Sequence, residues 1–212
     1  MGSMSVPLVA FLHGLGRTPQ FWQDQVSALP PGTRAVAPWL DGLRPGGPDG
    51  FELTRAADAV LGQLNRFGVD QVALVGSGLG ASVAVAAAGR SPAAVSHLVL
   101  TDLLPRTAKL AGGLQRLAVR AMPTAQLAEA GLDRGKMLAM MKASASVDLR
   151  ALLPQVTAQT LLLGGSGNPA GVTAARELAA GIAGARVEVI GRAGGSVPTE
   201  AALEPLNRVL TL

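Results

Sequence analysis

The sequence predicts an α/β domain built on a mostly parallel, six-stranded sheet with helices on both faces, and three observations predict it. Short apolar runs alternate with longer stretches of helical character, the rhythm of strand–helix–strand units. Most of these runs are apolar throughout their centres, as strands covered on both faces are. Of 212 residues, 49% are hydrophobic and 15% charged, enough apolar mass for one core. Aromatic residues make up only 3% and tyrosine is absent, so Leu, Val and Ala must build that core.

Taken in order, Met1-Gly2-Ser3-Met4 reads as a tag remnant ahead of a natural start at Met4, which leaves a single domain over residues 5–212. Strands are expected near Val6–Leu12, Arg34–Pro38, Gln71–Val75, His97–Thr101, Thr160–Leu163 and Arg186–Ile190. Arg186–Ile190 alternates more than the others and is expected at a sheet edge. Helices are expected near Pro19–Leu29, Leu53–Phe67, Leu79–Gly89, Val172–Gly181 and Glu200–Leu210. Asp41–Gly50 (DGLRPGGPDG) is turn-rich and reads as a surface loop. Residues 104–153 break the rhythm. They hold amphipathic helical segments separated by Gly112-Gly113, Pro123 and Gly131, and are expected to form a small helical cap over the strand ends.

Composition excludes several classes. With no cysteine, disulfides, thiolate metal sites and a thiol nucleophile are out, and neither metal nor cofactor is expected. No basic-then-apolar leader follows the start, and no apolar run reaches the roughly eighteen residues that span a bilayer. A soluble cytoplasmic protein without membrane contact is expected. The net charge of +4 is concentrated: residues 103–150 carry eight basic against three acidic side chains, a net +5. This is either a solvated helical surface or a face for an acidic partner. Nucleic acid is not expected, because no aromatic stacking residues or binding motif accompany the charge.

Three motifs carry the functional argument. Val72–Ala81 reads VALVGSGLGA, a strand running into a glycine-rich turn and a helix of small residues. It resembles the nucleophile elbow of the α/β-hydrolases, strand–G-x-S-x-G–helix. Val9–Gly16 (VAFLHGLG) is similar to that family's strand ending in an H-G-x-G loop. The resemblance spans nearly the whole chain after the tag remnant, although the family's leading antiparallel strands have no counterpart, which implies a trimmed fold.

The resemblance also implies roles. With Gly76 and Gly80 as the outer glycines, Gly78 takes the nucleophile's place and Ser77 the variable place beside it. In LLLGGSGNP (161–169) Asn168 stands where the family has its acid, in a segment like G-x-x-D-P. In AGGSVPTE (193–200) Gly195 stands where it has its histidine, in a segment like G-H-x-x-P-x-E. Glycine offers no nucleophile or base, and an amide cannot offset the charge that forms on an imidazole. Hydrolysis by a Ser–His–acid triad is therefore not expected.

The oxyanion hole needs only backbone, and the resemblance places its donors at Leu15 and Leu79. Losing three polar side chains leaves a larger, more apolar pocket, expected to be lined by Gly14, Trp22, Trp39, Gly78, Met137, Met141 and Val197. Met140 shares the helical spacing of the other two methionines. His13 either approaches the pocket or braces the loop backbone. Asp102 either supplies the remaining acid or base or caps a helix. The leading expectation is a non-hydrolytic cyclase, pericyclase or lyase acting on a bulky, polyketide-like substrate, with an acidic acyl-carrier protein meeting the basic cap. One alternative is an inert ligand-binding relative or triad-disabled esterase. Another is a dinucleotide-binding protein, since Gly76-x-Gly78-x-x-Ala81 and Asp102 also fit that fingerprint.

Overall fold

The computed structural model describes residues 8–44, 50–102, 134–145 and 147–191. Six strands form one sheet: β1 (Val9–Leu12), β2 (Ala35–Val36), β3 (Val72–Ser77), β4 (Val95–Thr101), β5 (Gln159–Gly165) and β6 (Arg186–Ile190). Their spatial order is β2-β1-β3-β4-β5-β6, and every pairing is parallel, so the sheet is all-parallel among the described residues. β6 lies at one edge, as its alternation predicts, and β2 at the other. β2 is shorter than the expected 34–38 run because Pro38 has no N–H to give to a ladder.

The pleat sends alternate residues to two cores. Leu8, Ala10, Leu12, Leu74, Leu98, Leu100 and Leu162 face one side. There they meet α2 (Leu53–Phe67), α3 (Leu79–Arg90) and Ala175 of α5 (Pro169–Ala179). Val9, Phe11, Ala73, Val75, Val99, Leu161 and Leu163 face the other side, with Trp22 of the 3-10 turn Pro19–Trp22. That turn leads into the short α1 (Gln23–Ser27), so the expected single helix 19–29 is split. Each buried Leu or Phe side chain contributes about 1.5–3 kcal/mol relative to exposure. α3 lies deepest: from Leu79 to Gly89 only Ser82 is not buried, and five of its residues are alanines that let the helix approach the sheet.

Two helix starts have visible causes. Glu52 caps α2, its carboxylate accepting from the N–H groups of Thr54 at 2.8 Å and Arg55 at 2.7 Å. α5 begins three residues before the expected Val172, because Asn168 caps it and Pro169 occupies its first position. In the cap region, α4 (Arg134–Ala145) and the 3-10 turn Leu153–Gln155 are described; the rest of 103–133 and the expected helix 200–210 lie outside the described residues. Met137 and Met140 of α4 are buried in the α2–α3 core. Among the described residues no helix is long and apolar enough to cross a membrane.

Candidate site at the carboxyl ends of β1 and β3

After β1 the chain moves to β2 on one side, and it returns to β3 on the other. Such a reversal of strand order opens a crevice beyond the strand ends, the preferred ligand position in open α/β sheets. Two turns meet there: the His13–Gly16 loop after β1 and the β3–α3 turn. They touch closely, for a Cβ on Gly14 would lie 3.1 Å from Ser77 O, and one on Gly78 would lie 3.9 Å from Gly14 Cα.

Gly78 is the apex of the β3–α3 turn, with φ 56° and ψ −116°. L-residues rarely adopt this conformation, which is how a sharp strand-to-helix elbow pushes its central residue outward. Its neighbours are fixed by packing. A Cβ on Gly76 would come 2.6 Å from Ala81 Cα, and one on Gly80 would come 2.6 Å from His13 O and closer still to Leu12 O. Both glycines are needed for α3 to lie against β1 and β3.

The backbone donors are placed by these turns. Leu79 N–H opens α3, one of the first-turn donors that a helix leaves without an internal acceptor. Leu15 lies in the loop closed by Arg17 N–H donating to Gly14 O at 3.2 Å. His13 is fully buried and holds this loop with both ring nitrogens. Leu40 N–H donates to Nε2 at 3.3 Å, which leaves the proton on Nδ1 to be donated to Gly14 O at 3.0 Å. Burial pushes its pKa below the ordinary histidine value, only partly offset by the bond to Gly14. Neutral and engaged twice by backbone, His13 is not available as the base it was a candidate for.

One polar contact was not anticipated from the sequence. Ser77 Oγ–H donates to Asp102 Oδ2 at 2.9 Å, and Thr101 Oγ1–H donates to the same oxygen at 3.2 Å. Gly78 N–H donates to Thr101 O at 3.0 Å, which ties the elbow to the end of β4. Asp102 is the one non-glycine described residue with positive φ, at 52°. Asp tolerates this better than most side chains, but the conformation still carries strain.

The other candidates fall as follows. Asn168 lies past the end of β5, where its Oδ1 accepts from Gly171 N–H at 3.0 Å. Trp22 does not line this crevice: it is buried in the opposite core, 5.5 Å from the Phe11 ring and 4.9 Å from Phe21. Trp39 is half-buried and stands edge-on to His13 at 5.2 Å. Met137 reaches the first loop, its Cε 3.1 Å from where a Cβ on Gly16 would lie. Met140 is core, and Met141 is partly buried beside it. Gly195 and Val197 lie outside the described residues. Among the described residues no group of three or more His, Asp or Glu side chains is arranged to hold a metal.

No protein-family model matches the sequence, and no curated protein matches it. Solved structures do. The enol-lactonase from Burkholderia xenovorans LB400 matches with a TM-score of 0.79 at 18% identity, over 98% of this chain and 92% of that one. A hydrolase from Pseudomonas aeruginosa PA01 matches with a TM-score of 0.75 at 21% identity, over 99% and 90%. MenH from S. aureus does so at 0.75 and 17%, over 96% and 91%. At such identities the likeness carries the fold and not the activity. With the all-parallel sheet, the glycine-packed elbow and the loop beside it, this chain is an α/β-hydrolase-fold protein.

Proposed function

We propose that this protein is a non-hydrolytic enzyme, a cyclase, pericyclase or lyase, that holds a bulky apolar substrate of polyketide-like chemistry and polarises one of its carbonyls with the Leu15 and Leu79 N–H groups. The observation that carries the reading is Gly78: the elbow keeps its shape, yet its apex offers no nucleophile, and a Cβ there would meet nothing nearer than Gly14 Cα at 3.9 Å. In this reading Gly78, Asn168 and Gly195 occupy the three triad places and none supplies its chemistry. Asn168, for its part, is engaged in capping α5.

Chemistry then rests on two terms. Backbone donors aimed at a developing oxyanion are worth about 3–4 kcal/mol each in a water-excluded site. Confinement in a reactive shape supplies more, through orientation. Met137, seated against Gly16, suits an adaptable apolar wall. The basic 103–150 segment suits an anionic substrate or an acidic acyl-carrier protein, in a cytoplasmic setting.

The apo protein should hydrolyse no member of a p-nitrophenyl ester panel and bind an apolar ketone such as 2-tetralone one to one. Pro at position 15 or 79 deletes one donor, and at 79 it falls on a helix position that accepts proline. Leu79→Pro should weaken ketone binding far more than binding of tetralin, the matched hydrocarbon. Equal losses for both would sink the oxyanion account, and no binding across a broad apolar library would sink the whole reading. A ligand-binding protein without turnover is the second reading, favoured by the locked state of His13. It predicts the same binding with no conversion of any bound ligand.

A further inference from the structure

We infer that Asp102 is the proton-handling residue of this site, a general base that removes a proton from the carbon beside the polarised carbonyl. The inference rests on the carbonyl-binding reading above and names the chemistry that reading leaves open. Four observations carry it. Asp102 follows β4 directly, beside the elbow, to which Thr101 O is bonded through Gly78 N–H at 3.0 Å. Its carboxylate is oriented by two hydroxyls, Ser77 at 2.9 Å and Thr101 at 3.2 Å, both on Oδ2. Its backbone is held at φ 52°, and strain of this kind at a non-glycine residue is concentrated at functional sites. Finally, His13, Asn168, Ser77 and Thr101 cannot take a proton from carbon. His13 is committed to backbone at both nitrogens, Asn168 is an amide, and Ser77 and Thr101 are hydroxyls that donate to the carboxylate.

The geometry of the fold explains how the pair arises. Ser77 is the last residue of β3 and lies in register with Thr101, the last of β4. The elbow turns away after Ser77, so its hydroxyl is left beside the β4 end rather than at the apex. Ser77 is buried, and its hydroxyl serves the carboxylate. The step balances within the site. The Cα–H bond of the ketone breaks and its proton passes to the Asp102 carboxylate. The electron pair becomes the C=C bond of an enolate whose oxygen takes the negative charge, facing the Leu15 and Leu79 N–H groups. The proton then returns to carbon, or the enolate pair adds to a second carbonyl carbon of the substrate, whose C=O π pair becomes an alkoxide that takes the proton from Asp102, or the pair expels a β leaving group that Asp102 protonates. No oxidant or reductant is needed.

The test is deuterium exchange at the α-carbons of 2-tetralone in D2O, followed by NMR, for which no natural substrate is required. Wild-type protein should accelerate exchange at least 100-fold over buffer. Asp102→Asn keeps the shape, the tolerance for positive φ and an acceptor for Ser77, and should bring exchange to the buffer rate with 2-tetralone still bound by saturation-transfer NMR. Asp102→Gly relieves the backbone and leaves a carboxylate-sized gap, so added formate should restore exchange. Wild-type exchange that persists unchanged in Asp102→Asn overturns the assignment. So does a wild-type protein that binds the ketone without exchanging it, while the carbonyl-binding reading survives that result. Absence of any bound ketone across a broad apolar library overturns both.

Discussion

Three glycines in one turn answer to different constraints. Gly76 and Gly80 are dictated by space: a Cβ on either would lie within 2.6 Å of backbone atoms that cannot move without separating α3 from the sheet. Gly78, between them, is not crowded: a Cβ there would make only an ordinary contact, with Gly14 Cα at 3.9 Å. The positions that let the elbow pack are fixed by space, and in the proposed reading its apex is where a nucleophile's side chain would otherwise stand. His13 belongs with the packing group, since it joins the loop after β1 to Leu40. The contrast teaches that the packing needs of this fold and the chemistry of its site are written in separable residues.

The contrast is open to direct test. Gly80→Ala should have the largest effect, because its methyl would overlap Leu12 O and His13 O; we expect a loss of at least about 3 kcal/mol, or no folded protein. Gly78→Ala makes only an ordinary contact with Gly14 Cα but keeps an unfavourable φ of 56°, and should cost about 1–3 kcal/mol. Urea midpoints for the two variants decide the matter, and equal losses would erase the distinction drawn between them.

A smaller effect probes His13. Its folded-state pKa is lowered by burial, as is that of His97, so the folded protein keeps both neutral while the unfolded chain takes up protons below the ordinary value of 6.5. Stability should therefore be level with respect to these groups above about pH 7 and fall as pH drops below 6.5. The slope should be at most about 1.4 kcal/mol per pH unit for each histidine. Denaturation at pH 7.5 and 5.5 reads this directly, and a midpoint that does not fall would contradict the buried, neutral assignment.

Much of the fold was legible because its signals are local. The α2 boundaries follow from the apolar period, and the edge position of β6 follows from its alternation. The glycine turn announces a strand passing into a helix. Signals that depend on partners were weaker. The early start of α5 is written in Asn168-Pro169, a cap followed by a proline, although the segment also resembles the family's acid-bearing turn. Trp22 follows the first strand as a crevice residue would, yet it packs on Phe11, and Phe11 points to the opposite face. The Ser77–Asp102 contact joins residues 25 apart in sequence. It exists only because β3 and β4 pair in one particular parallel register, which no local pattern encodes.

In the proposed reading the elbow is present and its nucleophile absent. The most direct test is labelling of the intact protein with a fluorophosphonate probe, which reports any serine activated for acyl transfer. Labelling is expected to be absent, and the Ser77→Ala protein should behave like the wild type. Covalent modification of the wild-type protein that is lost in Ser77→Ala would contradict the account, for it would mean that the serine beside the apex has taken the nucleophile's place.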